Sequence, residues 1–391
     1  MAEPARRTAA PKQPRSARPP LGNQIFFPAA AAYAALVLPA SVLSMTGTMS
    51  LPGLGTPAGH AHEMLYGFAL AVVAGNQLGP TPWSWLAPLF GLWGLGRIAF
   101  LLAPFGLVAA LADALFAAGL VWRVVPRLYR SVKKARNYAL PVALTAIGAS
   151  AIAFYLAQRF GGAAATHAGL VTAVLLFALL LLFMGGRLIA PAVAGQYYRQ
   201  GASLETPVQP KIEGALILAM LAAIAAAPFA AQPWAAAFAG CACIVAGVLT
   251  AIRLLRWRLW GVHRRPDLLC LGAGYAWIAL GLPAIGLALL ADAHLTAALH
   301  FVTIGSLGSL TLNVMALTWS ARAQRNIAHE RLPVWGTLLL AAATVARAAA
   351  DFAGDPRPLW WLAAACWSGA FVLLLITMAK LRHAGASKAA R

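Results

Sequence analysis

The sequence predicts an all-α integral membrane protein, a bundle of about twelve transmembrane helices with both termini in the cytoplasm. Three observations predict it. Of 391 residues, 61% are hydrophobic and 10% charged, with a mean hydropathy of +0.75, well above the roughly half apolar share of a soluble domain. Apolar runs of about twenty residues recur along the chain, each long enough for a hydrocarbon core of about 30 Å, and no β-barrel alternation competes with them. The basic residues gather in alternate connections.

The runs lie near 26–46, 62–80, 83–102, 104–122, 138–157, 166–190, 213–230, 233–255, 267–290, 294–320, 332–349 and 358–380. The first ends beside Met45 and Met49, and the second is opened by "GHAHE" at 59–63. Runs three and four form a hairpin about Ala103 and Pro104, with Arg97 and Asp113 at similar distances on either side; Gly and Pro punctuate this region and blur its boundaries. The fifth is uninterrupted. The sixth begins beside His167 and ends in Gly185, Gly186 and Arg187. Runs seven to nine are Ala and Gly rich, which suits close helix packing in lipid. The tenth starts at His294, carries His300 about two turns in, and is long enough to tilt or kink. The eleventh holds Arg347 near its outer end, and the twelfth precedes a basic terminus.

Formal net charge is +20, yet its distribution points away from nucleic acid. Lys and Arg number five in residues 1–24, six in 123–136, two in 199–211, five in 253–265, three in 322–331 and four in 380–391, and the intervening connections are nearly bare. This is the positive-inside pattern, with anionic lipid headgroups as partners. Residues 123–137 and 253–266 therefore face the cytoplasm, and 47–60 and 350–357 the outside of a bacterial inner membrane. Residues 1–24 read as a disordered cytoplasmic tail, 25–382 as a single transmembrane domain and 383–391 as a second tail. Cys241, Cys243, Cys270 and Cys366 form no CxxC, which excludes a disulfide framework or thiolate zinc site.

With this topology His60, His62, His167, His294 and His300 share the outer side, while His263, His329 and His383 fall in basic segments. An imidazole at a helix end is commonly just interfacial. His300, about 9 Å below its helix start, needs a partner in low dielectric. Glu63 complements a helix N-terminus or serves chemistry; His62 and Glu63, adjacent, point to different faces, whereas His60 and Glu63, three apart, can meet. Imidazoles from several helices at one depth make a site for haem iron or copper. His62 and His300 each begin a His-x4-Gly, with Gly67 and Gly305. Met45, Met49 and Met64 are thioethers suited to Cu(I), or plain packing. Arg97 and Asp113 are expected to form a structural ion pair, with Arg97 as a holder of a haem propionate in the functional version. Arg187 snorkels to the headgroups.

Three segments resemble the NnrS family of multi-helix bacterial inner-membrane proteins: "GHAHEMLYGFALAVVAG" at 59–75, "GGRLIAPAVAGQYYRQG" at 185–201 and "LHFVTIGSLGSLTLNVM" at 299–315. The chain departs from the family pattern in "GNQLGPTPWSW" at 75–85 and in "ALTWSARAQ" after Met315. The resemblance implies a protein containing haem and copper, linked to nitric oxide and nitrosative stress, with no firmly assigned reaction, and it carries over onto His60, His62, Glu63, Arg187 and His300. The expected site is therefore His62, His300 and Glu63 on the metal, with His60, Arg97 and Arg187 holding the cofactor. With no CxxCH, the haem is b-type and non-covalent; with no GxxxxGK[ST] loop, electrons come from a donor protein or quinol. A transporter of a small solute or metal is the alternative, since twelve helices with internal termini is also a carrier layout and predicts related halves. A structural membrane subunit whose polar residues only pack is a third.

Overall fold

The computed structural model describes residues 19–389, so most of the expected N-terminal tail lies outside the described residues. Among them the chain is helical, with one isolated bridge between Leu21 and Pro80. The helices are α1 (Asn23–Met45), α2 (residues 57–77), α3 (Trp83–Leu102), α4 (Leu107–Ser131), α5 (Ala139–Leu156), α6 (Gly162–Arg199), α7 (Pro210–Ala226), α8 (Pro233–Arg256), α9 (Pro266–Ala291), α10 (Leu295–Arg322), α11 (Leu332–Ala349) and α12 (Arg357–Ala389). Ten stretches are long and apolar enough to cross a membrane. One of these, Ala135–Arg199, is two helices that fold back on each other: Gly162 has a φ of +73°, and Arg187 reaches Asn137 although the two stand equally far from the turn.

Helix ends follow their sequences. Pro57, Pro210, Pro233 and Pro266 occupy first turns, where no backbone N–H is needed. Thr56 caps α2 by accepting from the Gly59 N–H at 3.1 Å. Leu36, Ile98, Phe105, Trp122, Leu218, Leu280 and Val345 are exposed, so the outer surface is apolar. The interior holds small residues such as Ala30, Ala31, Ala34, Ala143, Ala173 and Ala246, which let helix backbones approach without a hydrophobic gradient to drive them together. Exposed Trp83, Trp85, Trp234 and Trp335 mark helix starts, as interfacial aromatics do.

Among the described residues three segments are π-helical: Ala157–Gly161 at the turn between α5 and α6, and one inside each of two other helices. In α2, Pro57–His62 is α-helical, Glu63–Ala69 is π-helical and Leu70–Gln77 returns to α. In α10, Leu295–His300 is followed by a π-helix over Phe301–Gly308. Each of these two π segments begins directly after the histidine of a His-x4-Gly. A π turn is rare, and concentrates at functional sites. Its wider spiral alters the carbonyl ladder, and Trp93 of α3 donates its indole N–H to the Gly67 carbonyl at 2.8 Å.

The connections before α2 and α4 meet at one end, where the Gly53 N–H donates to the Leu101 carbonyl at 3.1 Å. Gly53 is buried, and a Cβ there would lie 2.2 Å from the Phe100 carbonyl oxygen. Topology is therefore better probed at Gly354, which is exposed with open space around it. A cysteine at Gly354, labelled from outside by an impermeant reagent, is expected to react above the background of the parent protein, and one at the exposed Lys133 to be spared. The reverse pattern would invert the membrane orientation.

Candidate functional site

His60 and His62 stand two positions apart, so their side chains leave α2 about 200° apart. Each enters a different environment.

On the His62 side lies a buried ionic cluster. Arg97 donates from Nη1 to Glu63 Oε1 and from Nη2 to Asp113 Oδ1. Tyr33 of α1 donates to Glu63 Oε2, and Tyr155 of α5 donates to Asp113 Oδ2 at 2.6 Å. The His62 ring has Nδ1 2.9 Å from Glu63 Oε1 and Nε2 3.4 Å from Asp113 Oδ2. Glu63 and His62 are 0% exposed. The imidazole stacks on Phe100 at 3.9 Å between centroids and touches Phe154, Tyr66 and Tyr155. Gly96 admits the Asp113 carboxylate, since a Cβ there would lie 2.3 Å from Oδ1. Five helices thus converge on two carboxylates and one guanidinium, an excess of one negative charge when both carboxylates are ionised and His62 is neutral.

The expected pairing of Arg97 with Asp113 is present, extended by Glu63. Two other expectations are corrected. His62 and Glu63 do meet, because the long glutamate side chain reaches back from the first π turn and both groups are drawn to Arg97 and Asp113. His60 and Glu63 do not: His60 turns to α1, with Nδ1 3.1 Å from Ser41 Oγ.

On the His60 side lies the outer end of α10. His60 and His300 are within electrostatic reach of each other and of Arg347. The His300 Nδ1 lies 2.6 Å from the Thr296 carbonyl oxygen, which makes Nδ1 the protonated donor and leaves Nε2 with its lone pair. Both rings are half-buried, and neither Nε2 has a hydrogen-bond partner among the described residues. Arg347 pairs with Asp351 at 2.8 Å, and Asp351 in turn accepts from the Ala297 N–H at 3.0 Å, fixing α11 to the start of α10. The π segments of α2 and α10 pack on one side chain, Trp367 of α12: Phe68 meets its ring edge-on at 5.7 Å, and a Cβ at Gly308 would lie 2.8 Å from it.

The fold therefore puts His60, and not His62, on the side of α2 that lies within electrostatic reach of His300. Helix phase alone puts the two histidines on opposite faces; the packing of α3 to α5 against one face and of α10 and α11 against the other decides which meets which. Arg97 is satisfied by its carboxylates. Arg187 is exposed at the opposite end of the bundle, beside Asn137 and over the Phe183 ring at 4.2 Å. His167 and His294 line one surface cavity of about 490 Å³, with His294 stacked on Phe352 at 4.5 Å. Among the described residues no three His, Cys, Asp or Glu side chains are placed to hold a metal ion together. Tyr33, Ser41 and Tyr155 were not anticipated, although a lone tyrosine hydroxyl in an apolar run signals a buried partner.

No curated protein matches the chain. The family model described as NnrS protein matches residues 20–382, which covers every described helix almost to its end; the chain belongs to the NnrS family.

Proposed function

We propose that this is a haem-binding inner-membrane protein of the nitric oxide response, with the haem held near the outer side by His60 and His300. The observation that carries this reading is the pair of imidazoles on α2 and α10, each with Nδ1 engaged and Nε2 without a protein partner among the described residues, His300 directly before one π segment and His60 one turn before the other. The donor set fits a haem, since an imidazole nitrogen with a free lone pair is an ordinary protein ligand of its iron. For copper, which the resemblance also implies, no third His, Cys, Asp or Glu side chain joins them among the described residues. When bound, haem supplies an iron that takes a diatomic gas such as nitric oxide, which crosses the apolar bundle without a polar path.

The chain's own residues bind and orient. Thr296 and Ser41 fix the two rings, and Arg347 is the cation placed for a propionate, in the role expected of Arg97 and Arg187. The Glu63 cluster, on the other face of α2, ties that helix to α1 and to α3, α4 and α5. Electrons, if the reaction uses them, come from a donor protein or quinol at the membrane.

A visible spectrum and metal analysis of the purified protein test this. A Soret band with bound iron is expected. Colourless protein free of iron, after expression with adequate haem supply, would overturn it and favour the transporter reading.

A further inference from the structure

Counted by sequence among the basic residues of the 253–265 connection, Arg253 instead lies in the last turn of α8 and is 2% exposed. Among the described residues no carboxylate pairs with it. Its contacts are weak: Nη1 donates to the Leu182 carbonyl at 3.4 Å and to Tyr275 Oη at 3.3 Å, and the buried Nε has no partner. The guanidinium carbon stands 5.4 Å from the centre of the Trp257 ring. The buried acidic groups at this end pair with other arginines, Glu213 with Arg136 at 3.1 Å and Asp267 with Arg265 at 2.7 Å. Withdrawing one guanidinium from water without a counter-charge costs several kcal/mol. Among the described residues no carboxylate stands at ion-pair distance from it.

The surroundings are shaped around the cation. The α6 backbone passes so close that a Cβ at Gly186 would lie 2.3 Å from Nη2, and a Cβ at Gly185 would lie 2.9 Å from the Tyr275 ring. Trp257 forms the other wall and donates from Nε1 to the Pro207 carbonyl at 3.3 Å. At the same end of the bundle, the residues on either side of Trp257 line a surface recess of about 240 Å³, Arg256 and Arg258 with Thr206, Glu205 and Leu204, and Arg256 donates to Thr206 Oγ1 at 3.1 Å. Two arginines on this surface raise the local concentration of anions.

We propose that Arg253 is the binding residue of an internal anion site, entered from the basic end of the bundle and taking one compact monovalent inorganic anion of the halide, nitrite or nitrate class. One unpaired guanidinium calls for one negative charge. The close walls formed by Gly186, Tyr275 and Trp257 exclude a phospholipid headgroup or a nucleotide. The site lies apart from His60 and His300, and stands whether or not haem is bound.

The test is thermal unfolding of the full-length protein in detergent, with chloride, nitrite or nitrate replacing gluconate at constant ionic strength. A saturable rise in Tm is expected with one or more of the three, and the arm with the lowest half-saturating concentration identifies the anion. Arg253→Gln should weaken that saturation about tenfold or more, the scale of losing hydrogen bonds from a charged group. Arg159→Gln, exposed on the connection between α5 and α6 and away from the site, should leave the half-saturating concentration within about twofold, the scale of a surface charge. A wild type indifferent to all three anions would overturn the proposal, as would Arg253→Gln responding like wild type. If Arg253→Gln does not accumulate, the wild-type titration together with Arg253→Lys, which keeps the charge and is expected to retain the response, decides in the same way.

Discussion

Arg97→Gln is expected to lower the stability of the folded bundle by about 3–5 kcal/mol, the scale of breaking a buried ion pair by removing one partner. The change leaves two carboxylates, Glu63 and Asp113, facing one another among Tyr33, Tyr155 and His62 with no cation between them. Asp113→Asn should cost less. It removes the excess negative charge, and Arg97 still donates to Glu63. This ordering differs from that of an isolated Arg97 and Asp113 pair, in which either single change strands a buried charge equally. The double variant Arg97→Gln with Asp113→Asn should lose less than the two single losses added, because it restores part of the charge balance. Unfolding of the three variants in a denaturing detergent series, followed by helical content, measures the cycle. Strict additivity, or a greater loss from Asp113→Asn than from Arg97→Gln, would show that the cluster does not act as one unit.

The second large effect concerns the imidazoles. His300→Ala and His60→Ala are each expected to remove the Soret band or shift it, whereas His329→Ala, in the connection at the basic end, should leave it unchanged. Loss of a hydrogen bond to a metal-bound histidine typically costs 10–100-fold in affinity, so loss of the ring itself should exceed about a hundredfold. Ser41→Ala, which removes only the partner of His60, belongs in that 10–100-fold range. His62→Ala should act differently. Its ring is packed against Phe100 and held between Glu63 and Asp113, so the main loss should be in stability, from a cavity and an opened polar network. A Soret band that vanishes in His62→Ala yet survives both His60→Ala and His300→Ala, at normal folded yield, would return the site to the inner face of α2.

Particular residues show how far the chain could be read without its fold. The runs at 83–102 and 332–349 coincide with α3 and α11, and Arg97 and Asp113 were legible as a pair because a hairpin relates them by chain distance alone. Helices here are local objects, set by apolar length and by proline and glycine at their ends, and every backbone group is satisfied within the same segment. The third member of the cluster was hidden. Glu63 arrives from α2, and no pattern along the chain says that α2 packs on α3. The π segments were hidden too: a His-x4-Gly echo was visible at 62–67 and 300–305, but the change of pitch depends on Trp93 and Trp277 from neighbouring helices meeting Gly67 and Gly305.

By itself, the sequence determined that this protein lives in a bilayer, is built of helices, gathers its basic residues at one end and carries the NnrS signatures. Each of these follows from composition or from short-range spacing, which the chain states directly. Only the tertiary structure decided that His60 lies on the His300 side of α2 while His62 is sealed with Glu63, and that Arg253 is buried with no carboxylate paired to it among the described residues. Those outcomes depend on which face of a helix meets which neighbour, and in lipid that choice rests on the close fit of small residues and on buried polar contacts made between segments far apart in the chain.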